Sequence, residues 1–255
     1  MDEVNTTQPP SEEGAQMSFT DKLMNVFSAP GELFESVAKS EKQNSNWSIP
    51  LVLSMLISVV FVLAVFSQQP IQDQIRDQTE KSIEKRVAEG KMTQEQADMA
   101  MSKNPAQPGS PLFMIFGSVG ALIFVAITLF GLALVFWLAG KWVFKSAATY
   151  SKVLEVVGLS MYISALMAIV TLLLVMAMGS LYATPSLALA VSHYDPMDKL
   201  DKFLGAVNIG TFWFLAIVAI GLAKLFSVTT VKTMTVMAVL WALWTAVTVF
   251  AGFGM

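Results

Sequence analysis

Charge is confined to short patches along this chain, and long uncharged stretches run between them. Five such stretches can be read directly. Gln43 to Gln72 carries no charged residue and has its apolar centre at Ile49 to Phe66. Asn104 to Gly140 is uncharged, with an apolar centre from Leu112. Val156 to Tyr194 lacks Asp, Glu, Lys and Arg, although it holds His193. Phe203 to Ala223 lies between Lys202 and Lys224, and Thr233 to Met255 is uncharged throughout. At about 1.5 Å rise per residue, about 20 helical residues cross a hydrocarbon layer ~30 Å thick. Every stretch is long enough. One such run also fits a buried core helix of a soluble protein, but five together do not. Lipid offers the backbone no hydrogen-bond partner, so only helices or closed barrels span it. A barrel needs alternating segments of about 10 residues, and LIFVAITLFGLALVFWLAG does not alternate. The predicted fold is all-α, an integral membrane helical bundle of five transmembrane helices. Its spans are about 49–67, 112–140, 153–178, 203–223 and 233–253.

The polar patches predict further elements. Residues 1–17 are acidic and polar, and their low hydrophobicity predicts a disordered tail. No apolar core follows a basic start, so this is not a secretory signal. Residues 18–42 predict amphipathic interfacial helices. Phe19, Leu23, Val26 and Phe27 fall on one helical face, and Pro30 suits the first turn of a second helix that carries Leu33, Phe34 and Val37. Such short stripes either lie on a membrane or cap a bundle. Residues 68–111 form the one large polar loop, and QDQIRDQTEKSIEKRVAEG within it is rich in helix formers. Gly90 stops that helix, and Thr93 with Gln96 makes a capping box for a second, so the loop predicts a helical extramembrane hairpin. The third run exceeds one span, reaching about 58 Å if wholly helical. Gly179 and Pro185 are its expected breaks, which leaves 179–194 interfacial or re-entrant.

Composition agrees with a lipid environment. Of 255 residues, 55% are hydrophobic and 14% charged, with mean hydropathy +0.60, whereas a soluble domain carries roughly 25% charge. There are no cysteines, which excludes disulfides and thiol chemistry. A net charge of −3 gives no sign of nucleic-acid binding. Lysines set the expected orientation. Lys39 and Lys42, then Lys141, Lys145 and Lys152, then Lys224 and Lys232 all fall on one side of a five-span chain. That side is expected to be cytoplasmic, with the N-terminus there and the C-terminus opposite.

The residues show no set for catalysis, metal or cofactor. His193 is the sole histidine, and Asp195-Pro196 beside it reads as a helix start. Neither a metalloprotease helix, a nucleophile elbow nor a phosphate loop occurs. Lys152, Glu155 and Lys224 are expected at span ends, where they can reach the interface. Uncharged polar groups remain inside the spans. Ser160, Ser164, Asn208 and Thr211 form a candidate intramembrane polar path, set against hydroxyls that merely bond their own helix. Ala238, Ala242 and Ala246 form a candidate helix-packing face, as do Ala219 with Ala223 and Gly117 with Ala121. The sixteen methionines read as packing filler.

Three segments resemble the Yip-domain membrane proteins, whose name denotes interaction with Ypt or Rab GTPases, in their bacterial branch. They are FSAPGELFESV at Phe27 to Val37, LAGKWVFKSAATYSKVLEVVGLS at Leu138 to Ser160, and Leu200 to Leu243 with Asn208, Trp213, Gly221, Leu222 and Lys232. Ile163 stands where family members often have proline, and the 68–111 loop is longer than the minimal family core. The resemblance implies five spans with a cytoplasmic N-terminus, no enzyme activity, and a place in a bacterial cytoplasmic (inner) membrane. For eukaryotic relatives it implies roles with small GTPases in vesicle traffic. The expected function is a non-enzymatic inner-membrane protein that organises protein partners or lipids, with partner contacts through 18–39 or 69–103. The alternative is a transporter or channel for a lipid or small neutral solute.

Overall fold

A computed structural model describes residues 17–102 and 107–250. The acidic tail, Lys103 to Ala106 and the last five residues lie outside the described residues. Two short helices come first, α1 (Phe19–Ser28) and α2 (Pro30–Lys39), followed by the first long apolar helix, α3 (Ser45–Phe66). Ser18 and Asp21 cap α1 reciprocally, and Pro30 occupies the first turn of α2. The polar loop folds as α4 (Gln69–Ala88) and α5 (Gln94–Ser102). Gln96 N donates to Thr93 Oγ1 at 3.2 Å and Thr93 N donates to Gln96 Oε1 at 3.0 Å, so the expected capping box starts α5.

Four more long apolar helices and one short one complete the chain. They are α6 (Pro111–Trp142), α7 (Tyr150–Met178), the short α8 (Lys199–Ala206), α9 (Ile209–Phe226) and α10 (Thr230–Phe250). There is no β-strand among the described residues, and five helices are long and apolar enough to cross a membrane.

The centre of the bundle is α7. Every residue from Val153 to Ile163 on it is buried, and it touches α1, α2, α3, α6 and α9. A helix buried on all sides reads apolar all round, which is why no stripe marks it in the sequence. Two glycines let its neighbours close in. A Cβ on Gly158 would stand 2.4 Å from Trp47 Cα on α3, and one on Gly221 of α9 would stand 2.5 Å from Val156 and 3.0 Å from the Phe34 ring. Helix α10 packs mainly against α9 and α8, with Met237 in the core. The outward faces are apolar. Phe124 is 70% exposed, Trp244 67% and Leu173 62%. A soluble monomer rarely exposes so continuous an apolar surface, so these faces meet lipid.

Two expectations change. The pattern of residues 18–42 allows a membrane-surface or a bundle-capping role, and in the structure most of their apolar side chains pack on the bundle. Val26, Leu33, Phe34 and Val37 are all within 2% of full burial in the main core. The fourth span does not begin at 203. Residues 199–206 form the separate α8, the chain turns at Val207 and Asn208, and the apolar helix starts at Ile209. Eighteen residues of α9 give about 27 Å, slightly short of the ~30 Å layer. The segment after Gly179 completes that end. Leu187 N donates to Val207 O at 3.1 Å and Ile209 N to Pro185 O at 3.0 Å, so irregular backbone near the membrane has its partners.

Candidate functional site

Polar chemistry gathers at two places. The first is where α1, the start of α3 and the start of α7 meet. Glu155 on α7 is fully buried, and Asn46 Nδ2 donates to its Oε2 at 2.7 Å. Its Oε1 accepts no hydrogen bond and faces the Lys152 ammonium at 3.3 Å. Lys152 also donates to the carbonyls of Val37 at 2.9 Å and Glu41 at 3.1 Å. Lys22 reaches in from α1, donating to Asn46 Oδ1 at 2.9 Å and to Gln43 Oε1. Burial pushes the Lys22 ammonium below the usual lysine range; the Glu155 charge opposes this and the Lys152 charge adds to it.

One network therefore ties the N-terminal helices to the central helix. The sequence reading placed Glu155 at a span end, free to reach the interface, and the structure corrects this. The signal was present in its neighbours. Val153, Leu154, Val156 and Val157 surround Glu155 on every side of the helix and are all buried, so no exposed face was left for it. A carboxylate so enclosed requires a partner.

The second place is a groove of about 520 Å³ bounded by α3, α6, α7 and α9. Of the candidate polar path, Ser164, Asn208 and Thr211 line it, and Ser160 does not. Ser160 is fully buried and donates to Val156 O at 2.8 Å within its own helix. Asn208 is not a mid-span group but the cap of α9, accepting from Gly210 N at 2.8 Å and Thr211 N at 3.3 Å. Asparagine before an apolar helix is a preferred cap, so the signal was legible in VNIG. Ser54 also lines the groove, and its hydroxyl is buried without a partner.

The small-residue faces divide. Ala219 and Ala223 are buried, and a Cβ on Gly117 would stand 3.2 Å from Val62. Ala238, Ala242 and Ala246 are exposed. Ala242 and Ala246 border a smaller space beside Phe203 and Trp241.

The hairpin is pinned only at its base. Ile71 is buried with Val65, Val175 and Ala183. Gln74 Nε2 donates to Gly179 O at 2.6 Å and its Oε1 accepts from Leu181 N at 3.1 Å, while Gln78 donates to the Tyr182 hydroxyl. Beyond Gln78 the arm leaves the bundle, and Ala97 is its one buried residue there. His193 is exposed, and among the described residues no group of three His, Cys, Asp or Glu is placed to hold a metal ion.

The family model of the Yip1 domain matches residues 24–252. That range covers α2 to α10 and half of α1. No curated protein and no solved structure matches the chain.

Proposed function

Because this chain belongs to the Yip1-domain family, we propose that it is a non-enzymatic multi-pass membrane protein that organises a protein partner at the membrane, with the α4–α5 arm as its contact element. The arm carries this reading. Twenty-nine residues of helix bury only Ile71 and Ala97, so beyond its base the arm adds little to the stability of the bundle. The other contact surface foreseen, 18–39, has Val26, Leu33, Phe34 and Val37 in the core and keeps only Phe19 and Phe27 of its apolar stripe exposed. The membrane is proposed to be a bacterial cytoplasmic one. The end that holds α1, α2 and Lys39, Lys42, Lys145, Lys152 and Lys224 then faces the cytoplasm by the lysine bias of cytoplasmic loops, and the arm projects from the opposite face.

The test is replacement of 80–102 by a short Gly-Ser linker, which keeps Ile71, Gln74 and Gln78. A photo-crosslinker at position 77, exposed just before the replaced stretch, should capture a discrete partner in native membranes with the arm present and lose it with the arm gone, while insertion stays at the normal level. Equal capture in both contradicts the reading.

The second reading, passage of a lipid or small neutral solute, draws on Ser164, Asn208 and Thr211 in the groove. It is the weaker one. The groove's polar groups end at Ser54 and Ser58, and the side chains next to them toward the lysine-rich end are Leu129, Leu132 and Val157.

A further inference from the structure

We infer that the groove between α3, α6, α7 and α9 is a seat for one acyl chain of a bilayer phospholipid, with the lipid's glycerol ester held at Asn208. The inference stands apart from the partner role of the arm.

Shape selects the occupant. The lining on α7 runs from Val157 to Thr171, about 21 Å at 1.5 Å per residue. A space of about 520 Å³ spread over that length is a slot narrower than an α-helix about 10 Å across, so a whole helix of another span or of a second copy of the chain does not fit it. A single hydrocarbon chain does. The lining matches it, with Ile57, Phe61, Val125, Met161 and Phe214 along the walls.

Position selects the source. Phe124 forms one lip and is 70% exposed, and Ile127 beside it is 65% exposed. The groove is thus continuous with the lipid-facing surface. At the end nearest the arm, Asn208 spends its Oδ1 on the cap of α9, and its Nδ2 has no partner among the described residues. Thr211 lies one turn further along. Two donors at the mouth of an apolar slot fit an ester carbonyl, since ligand sites pair apolar walls with a few placed polar groups.

The test is native mass spectrometry of the full chain from nanodiscs of palmitoyl-oleoyl phosphatidylglycerol and phosphatidylethanolamine. One phospholipid per chain should survive stripping of the surrounding lipid. Ala168→Phe, which fills the slot, should reduce the retained lipid at least fivefold, and Leu243→Trp, on the outer face of α10, should leave it unchanged. Asn208→Asp keeps both cap bonds and removes the amide donor. It should lower retention several-fold without loss of thermal stability, which separates lipid binding from folding should Ala168→Phe disturb the bundle. Retention equal in all four proteins, no retained lipid in the unaltered chain, or a second protein copy in place of lipid would each overturn the assignment.

Discussion

Lys152 and Glu155 show what a single residue can cost in a membrane bundle. Burying one charge without its partner is strongly unfavourable, whereas replacing a buried pair by apolar groups is often neutral. Lys152→Met should therefore lower stability by about 3 kcal/mol, and Lys152→Met with Glu155→Leu should recover most of that loss. Thermal unfolding in one detergent measures both, and a single variant as stable as the parent would show that the network holds nothing. Gly158 acts by space instead. A methyl there meets the backbone of Trp47 at 2.4 Å, and backbone cannot swing aside. Gly158→Ala should cost about 1–3 kcal/mol, against no loss for Gly120→Ala, where nothing lies within 4 Å; the same melting experiment reads both. The burial of Glu155 was legible in its apolar neighbours, but its partners and the role of Gly158 were not. Glu155 lies near a helix start, and Gly158 is one glycine among fifteen. What decides them is which helix is central, and that depends on contacts far apart in the chain.

Among the elements, α2 joins the bundle by two means. Phe34 and Leu33 enter the core, and Glu35 bridges at 2.8 Å to Lys224 on α9 and at 2.8 Å to Lys39 on its own helix. The hydrogen bonds from Lys224 and Lys39 hold the Glu35 carboxyl down at about 2, against an ordinary value of 4.5. A lowered carboxylate favours the folded state above its ordinary value, and this contribution fades as pH falls from 4.5 toward 2. The groups are exposed, so salt screens the effect. Protection of α2 amides from hydrogen exchange should therefore weaken over that acid range at low salt. Glu35→Gln should be weak already at neutral pH and lose this dependence; a parent and variant with the same pH profile contradict the bridge.

The elements also show how far sequence reaches. Five long apolar helices, the capping box at Thr93, and the hairpin follow from local pattern. The start of α9 was missed because Phe203, Leu204 and Ala206 continue the apolar run across the break. The turn at Asn208 is fixed by pairing with Pro185 and Leu187, a contact no local pattern records.

At the scale of the whole molecule, the two ends differ. One gathers α1, α2 and the buried Lys22–Asn46–Glu155–Lys152 network. The other carries the segment after Gly179, α8 and the arm. Between them the surface is apolar, with the groove opening on it. Of that groove the sequence offered Ser164, Asn208 and Thr211, but not that they share a slot or that Ser160 turns away. An uncharged hydroxyl reads the same whether it bonds its own helix or faces a cavity.

The account depends most on the arm and the N-terminal helices lying on opposite faces of the membrane. The chain has no cysteine, so single cysteines can be placed without background. Glu41→Cys, beside the end of α2, and Lys85→Cys, on the arm, are both exposed positions. With a membrane-impermeant maleimide on spheroplasts and on inverted vesicles, Lys85→Cys should label only in spheroplasts and Glu41→Cys only in inverted vesicles. Labelling of both from the same side would contradict the five-span arrangement, and with it the place of the arm as the outward contact.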